Sequence, residues 1–140
     1  MAYLTKEELK THAKQSEITA IIEGDETIAL ACIDIAIEFA TSKLLKQYDT
    51  DLIFSKTGTD RNPLLLKIVK DIAIWELIGL GNPSIDYDDK KFRYQQAVDW
   101  LEAVYGGMKT TLDKIQVTEE EEVKTTSFTY HSNPKRQNHY

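Results

Sequence analysis

Apolar side chains recur along the first hundred residues at helical spacing, and short polar stretches divide them into discrete segments. Thr5-Lys6-Glu7-Glu8 has the form of a capping box, in which the threonine hydroxyl takes the backbone N–H of Glu8 and the Glu8 carboxylate reaches back. Leu4 and Leu9 flank it at the positions of a hydrophobic staple, so the pattern predicts a short helix over about Lys6 to Lys14. Ser16-Glu17 opens a second short helix carrying Ile18, Ile21 and Ile22, and Gly24 supplies its stop. Asp25 is the predicted N-cap of a long helix to about Lys46. Two stripes run along that helix: Ile28, Cys32, Ile35, Ala36 and Phe39, and then Leu30, Ile33, Ile37, Ala40 and Leu44. Together they cover most of its circumference, which suits a helix central to its own domain or one shared with a neighbouring subunit.

Two more helices follow a polar connection. Gln47 to Asn62 is expected to be a loop of about sixteen residues holding the apolar triplet Leu52-Ile53-Phe54, which either folds back on the core or anchors a partner. Asn62-Pro63 combines an N-cap with a proline at the first helical position, where its missing N–H costs nothing. Leu65, Ile68, Ile72, Trp75 and Ile78 then mark a core stripe, broadened by Leu64, Val69, Ala73 and Leu77, and Gly79-Leu80-Gly81-Asn82-Pro83 ends it. After an acidic turn, the last helix is predicted over about Lys90 to Tyr105, with Tyr94, Ala97, Val98, Leu101, Val104 and Tyr105 inward and Trp100 at an edge.

Beyond Gly106-Gly107 the periodicity fades. The expected organisation is therefore a helical domain over 1–107 and an extended C-terminal arm over 108–140. Thr125 to Tyr130 has the alternation of a β-strand, which must find a pairing partner unless the arm is a polar tail without fixed structure. The fold class is all-α, a small bundle of four to five helices with a long loop and this arm.

Composition narrows function mainly by exclusion. The chain has 140 residues, enough for one core, and a formal charge of −6. The last eighteen residues carry Lys124, Lys135 and Arg136 and no acid, so the +3 there leaves −9 on the rest. An acidic body is poorly suited to binding nucleic acid by phosphate neutralisation. Cys32 is the single cysteine, which excludes an intramolecular disulfide. No signal peptide pattern is visible and the longest apolar run, Thr27 to Ile33, is far short of the ~20 residues of a membrane span, so a reducing cytoplasm is the expected site of synthesis.

Catalytic and ligand motifs are weak throughout. Gly79-x-Gly81 follows a helix rather than a strand and is a helix stop, not a dinucleotide loop. Asp49-x-Asp51 starts like a calcium loop, but Ile53 stands where an oxygen ligand is needed. Asp86, Asp88 and Asp89 fit a helix N-terminus better than a cation site. His12, His131 and His139 are paired by spacing with neither a nucleophile nor a ligand set. No catalytic, cofactor or metal residue is assigned.

The order of parts resembles a known family. Tyr3-Leu4-Thr5-Lys6-Glu7-Glu8-Leu9, the Ile- and Ala-rich helix ending at Tyr48, Pro63-Leu64-Leu65-Leu66-Lys67-Ile68-Val69-Lys70-Asp71-Ile72-Ala73, Arg93-Tyr94-x-x-Ala97-Val98-x-Trp100-Leu101, Gly106-Gly107 and the tail marker Ser132-Asn133-Pro134-Lys135 follow one another as in the head–tail connector or adaptor (head completion) proteins of Mu-like tailed phages and relatives. The resemblance implies a structural virion protein without an enzymatic role and without a cofactor. It would form a homo-oligomeric ring, typically dodecameric, beneath the portal protein at the head–tail junction. That ring would extend the channel through which DNA passes without specific binding and would dock the next neck or tail component. On this expectation Leu30, Ile33, Ile37 and Leu44 face a neighbouring subunit. Leu52, Ile53 and Phe54 contact a partner from the loop, and Phe128, Tyr130, Asn133, Pro134, Lys135, Arg136 and Tyr140 contact the portal or a neighbour from the arm. The alternatives are a helical DNA-binding packaging or regulatory protein of the small-terminase type, and a small enzyme using the acidic turns with a metal.

Overall fold

A computed structural model describes residues 2–22, 25–80 and 87–116. Among them the chain is all-α: α1 (Gln15–Ile22), α2 (Glu26–Leu44), α3 (Thr50–Ser55), α4 (Pro63–Ile78) and α5 (Tyr87–Tyr105), with 3₁₀ turns at Lys6–Thr11 and Gly58–Asp60. Gly24, where the second short helix was expected to stop, lies outside the described residues.

The capping box closes as expected, with the Glu8 carboxylate accepting from the Thr5 N–H at 3.2 Å, and both staple leucines are buried. The segment that follows is a 3₁₀ turn ending at Thr11 rather than an α-helix to Lys14. Short i→i+3 bonded pieces of this kind are common as connectors beside α-helices. Asp25 caps α2 as expected, its Oδ1 accepting from the Thr27 N–H at 3.0 Å and from the Thr27 hydroxyl at 2.6 Å.

The core is built around α4. This helix packs most extensively on α2 and α5 and also touches α1, and it buries Leu65, Ile68, Val69, Ile72, Ala73, Ile74 and Leu77. Asn62 starts it, with Oδ1 accepting from the N–H groups of both Leu64 and Leu65 at 3.0 Å. Against it α2 lays Ala29, Cys32, Ile33, Ala36, Ala40 and Leu44, a single stripe in which three alanines allow close approach of the helix axes. That buried stripe takes members from both stripes read in the sequence, and Leu30 and Ile35 are left on the outer face. From α5 come Ala97, Leu101 and Val104, whereas Tyr105, expected inward, is 49% exposed.

One expectation about the connections is corrected and another is filled in. Residues 47–62 are not a structureless loop: Asp49 Oδ1 caps α3 through the Leu52 N–H at 3.1 Å, and the turn Gly58–Asp60 follows, with Gly58 at φ 60°. Beyond Gly107 no described residue is helical, as expected, but the first part of the arm is packed on the body. Gly107, at φ 116°, turns the chain back, and residues 108–115 run over the body as an arm root. Leu112 is buried there, Thr110 N–H donates to the Tyr48 hydroxyl at 3.2 Å, and Tyr48 and Lys114 form an antiparallel bridge.

Candidate functional site

None of the expected arm contacts falls among the described residues, but the connection that holds the apolar triplet meets the chain that follows α5. The connection between α2 and α4 and the root of the arm meet at Tyr48: Asp49 N–H donates to the Asp113 carbonyl at 2.8 Å, and Ile115 N–H donates to the Gln47 carbonyl at 3.3 Å. Lys56 Nζ pairs with the Asp113 carboxylate, and Asn62 Nδ2 donates to the Thr111 hydroxyl at 3.1 Å. The Tyr48 ring is buried under this junction, which ties residues 110–115 to the body.

Beside the junction lies a groove of about 420 Å³, lined by the first turn of α4 (Asn62, Pro63, Leu64), by Trp100 of α5 and by Lys109 to Leu112 of the arm root. Its lining is mostly apolar, and Leu64 is half exposed at its edge. The sequence pattern hinted at this place only through Trp100, which falls two positions out of phase with Val98.

The individual contact residues divide as follows. On α2, Ile33 and Leu44 are buried in the core of their own chain and Ile37 packs against it, which corrects the expectation that this stripe faces a neighbouring subunit. Leu30 alone of the four is exposed, at 47%. The physical reason is that α4 and α5 together take up the face that the second stripe was expected to offer. In α3, Ile53 is buried, and Phe54 meets the Tyr3 ring edge-on at 4.9 Å, so two members of the triplet fold back on the core. Leu52 points outward. Phe128, Tyr130, Asn133, Pro134, Lys135, Arg136 and Tyr140 lie outside the described residues. The pattern missed other exposed apolar side chains, including Ile35, Leu45, Phe92 and Met108.

Two polar clusters hold the N-terminal segment to the bundle. Arg61 donates to the Glu8 carboxylate (Nη2 to Oε2 at 2.8 Å), to the Tyr3 carbonyl at 2.7 Å and, through Nε, to the Gly58 carbonyl at 2.8 Å. The guanidinium holds the Glu8 carboxyl below its ordinary range, while burial pushes the Tyr3 phenol up to about 12. On the other side, Asp71 of α4 is buried and pairs with Lys67 at 2.9 Å. His12 Nδ1 stands 4.0 Å from Asp71 Oδ1, buried and with no hydrogen-bond partner among the described residues. Lys70 Nζ donates to the Thr11 hydroxyl at 3.1 Å, and Lys90 Nζ to the His12 carbonyl at 2.6 Å. Burial lowers the His12 pKa, opposed by Asp71 and assisted by the positive charges of Lys70, Arg93 and Lys67.

These clusters are structural in form. Arg61, Lys67 and Lys90 reach carboxylates or backbone carbonyls, and Lys70 reaches the Thr11 hydroxyl. Cys32 is buried and its thiol is pushed up by burial, the opposite of an activated nucleophile. Asp89 braces the first turn of α5 by pairing with Arg93 at 3.1 Å, and Asp49 is spent as a cap. Among the described residues, no three His, Cys, Asp or Glu side chains converge as metal ligands would, and no helix is long and apolar enough to cross a membrane. The fold and its surfaces define an all-α protein whose open features are a junction, a groove and scattered exposed apolar side chains. No family model, curated protein or solved structure matches the chain.

Proposed function

We propose that the chain is a head–tail adaptor: a ring-forming virion protein that binds beneath a phage portal, extends the DNA channel and presents a surface to the next neck or tail component. The observation that carries this reading is the junction at Tyr48 and Lys114. A braced helical body holds the root of the arm at one point, beside an apolar groove, and this suits a connector whose arm reaches a partner while its body packs in a ring. Three further features support it. The sequence resemblance spans nearly the whole chain. The charge of −9 outside the last eighteen residues suits a channel along which DNA slides, because a basic lining would hold phosphates. Exposed Leu30, Ile35, Leu52, Phe92 and Tyr105 offer apolar area for subunit contacts.

In this role the protein performs no bond chemistry. The arm residues Phe128, Tyr130, Asn133, Pro134, Lys135, Arg136 and Tyr140 are assigned to the portal or a neighbour, and Leu30 and Leu52 to contacts on the body. Deleting Val123–Tyr140 tests the assignment: portal docking is expected to weaken while helical content by far-UV circular dichroism stays near that of the full chain. Unchanged docking would remove the arm from the mechanism.

A further inference from the structure

The groove at the arm root is open to solvent, apolar, and bounded on one side by the chain that leads into the arm. Gln116 ends the described part of that chain, four residues past Leu112 in the groove wall. Of the 24 residues that follow, only Val117, Val123, Phe128, Tyr130 and Tyr140 carry large apolar side chains. Phe128 and Tyr130 are the one adjacent pair, and at i, i+2 spacing they share a face of an extended chain.

Reach and charge both favour a return to the groove. The eleven residues Val117 to Ser127 span at most about 36 Å, more than enough to fold back over a wall that begins seven residues before Gln116. Glu119 to Glu122 lie on that path, and Lys109 and Lys114 are exposed at the groove and the arm root, so the passing charges attract. A tether this short gives the aromatic pair an effective concentration on the order of millimolar, which a separate chain at ordinary concentration does not match.

We propose that this groove is the intramolecular seat of Phe128 and Tyr130, the two rings packing against Trp100, Pro63 and Leu64. The seat competes with any outside partner for the same aromatic pair, so it sets when the arm is available. This goes beyond the adaptor reading and does not rest on it.

The test uses the full chain with Trp75→Phe, which leaves Trp100 as the only tryptophan. Replacing Phe128 and Tyr130 together by serine is expected to raise acrylamide quenching of Trp100 about twofold and to shift its emission to the red, with the same change over a wide range of protein concentration. A second variant guards against a fold defect from Trp75→Phe. Leu64→Arg, at a half-exposed position in otherwise native sequence, is expected to speed tryptic cleavage after Lys124 by a similar factor. Quenching and cleavage both unchanged would overturn the proposal. A change that appears only at high protein concentration would assign the groove to the arm of a second copy and overturn it equally. Portal binding is read separately, by mass, so failure here and failure of the adaptor reading are distinguishable.

Discussion

His12 shows how one buried ring ties pH to stability. Its side chain is mostly enclosed between the N-terminal turn and α4, and burial depresses its pKa in the folded chain. The unfolded chain, with an ordinary histidine pKa near 6.5, therefore binds the proton more readily. The stabilisation is complete above that value and is lost as pH falls from there through the folded pKa. Denaturant unfolding at pH 7.5 and pH 5.5 is expected to show a loss of stability in the native chain that His12→Phe largely removes. An equal loss in both would place the acid sensitivity elsewhere. Arg61 is the other single side chain with wide consequences. Its three partners are the Glu8 carboxylate and the Tyr3 and Gly58 carbonyls, and Lys keeps the charge but not the fork. Arg61→Lys is expected to lower stability by about 1–3 kcal/mol by leaving part-buried acceptors unmet, measured by urea unfolding. Neither residue stood out in the sequence. His12 was paired by spacing with no ligand or nucleophile, and Arg61 was one polar position in an expected loop, because Asp71 on one side and Tyr3 and Glu8 on the other are more than fifty positions away along the chain.

Elements were legible where caps and periodicity agreed. Asp25, Asn62 and Pro63 place the starts of α2 and α4 because each makes a local hydrogen bond or removes a local donor. What periodicity does not contain is the partner of each face. The second stripe of α2 looked available to another subunit because a helix apolar on two sides cannot announce that α4 and α5 already cover it. The helix in the connection was hidden for another reason. Thr50 to Ser55 is too short for a period to show, and its cap Asp49 resembled a ligand of an incomplete calcium loop. The assignment of faces on α2 is checked by two truncations. Leu44→Ala is expected to cost about 2–5 kcal/mol as a buried core deletion, and Leu30→Ala under about 0.5 kcal/mol in the isolated chain. Similar costs at both positions would mean that Leu30 is already covered in solution.

At the scale of the molecule, the fold class was readable and the site was readable only in part. Counting helices requires only local signals. The junction at Tyr48 and the groove at Trp100 require knowing that Gly107 turns the chain back to Tyr48 and the first turn of α4, and no sequence pattern carries that. The adaptor proposal draws on the order of motifs in the chain together with an acidic, braced body that holds the root of the arm at one point. An adaptor must associate with a portal. The most direct measurement is the mass of the purified protein by size-exclusion chromatography with light scattering, alone and mixed with the portal of the same phage. A ring of subunits, or a complex that forms only when portal is present, is the expected result. A monomer whose mass is unchanged by portal would contradict it.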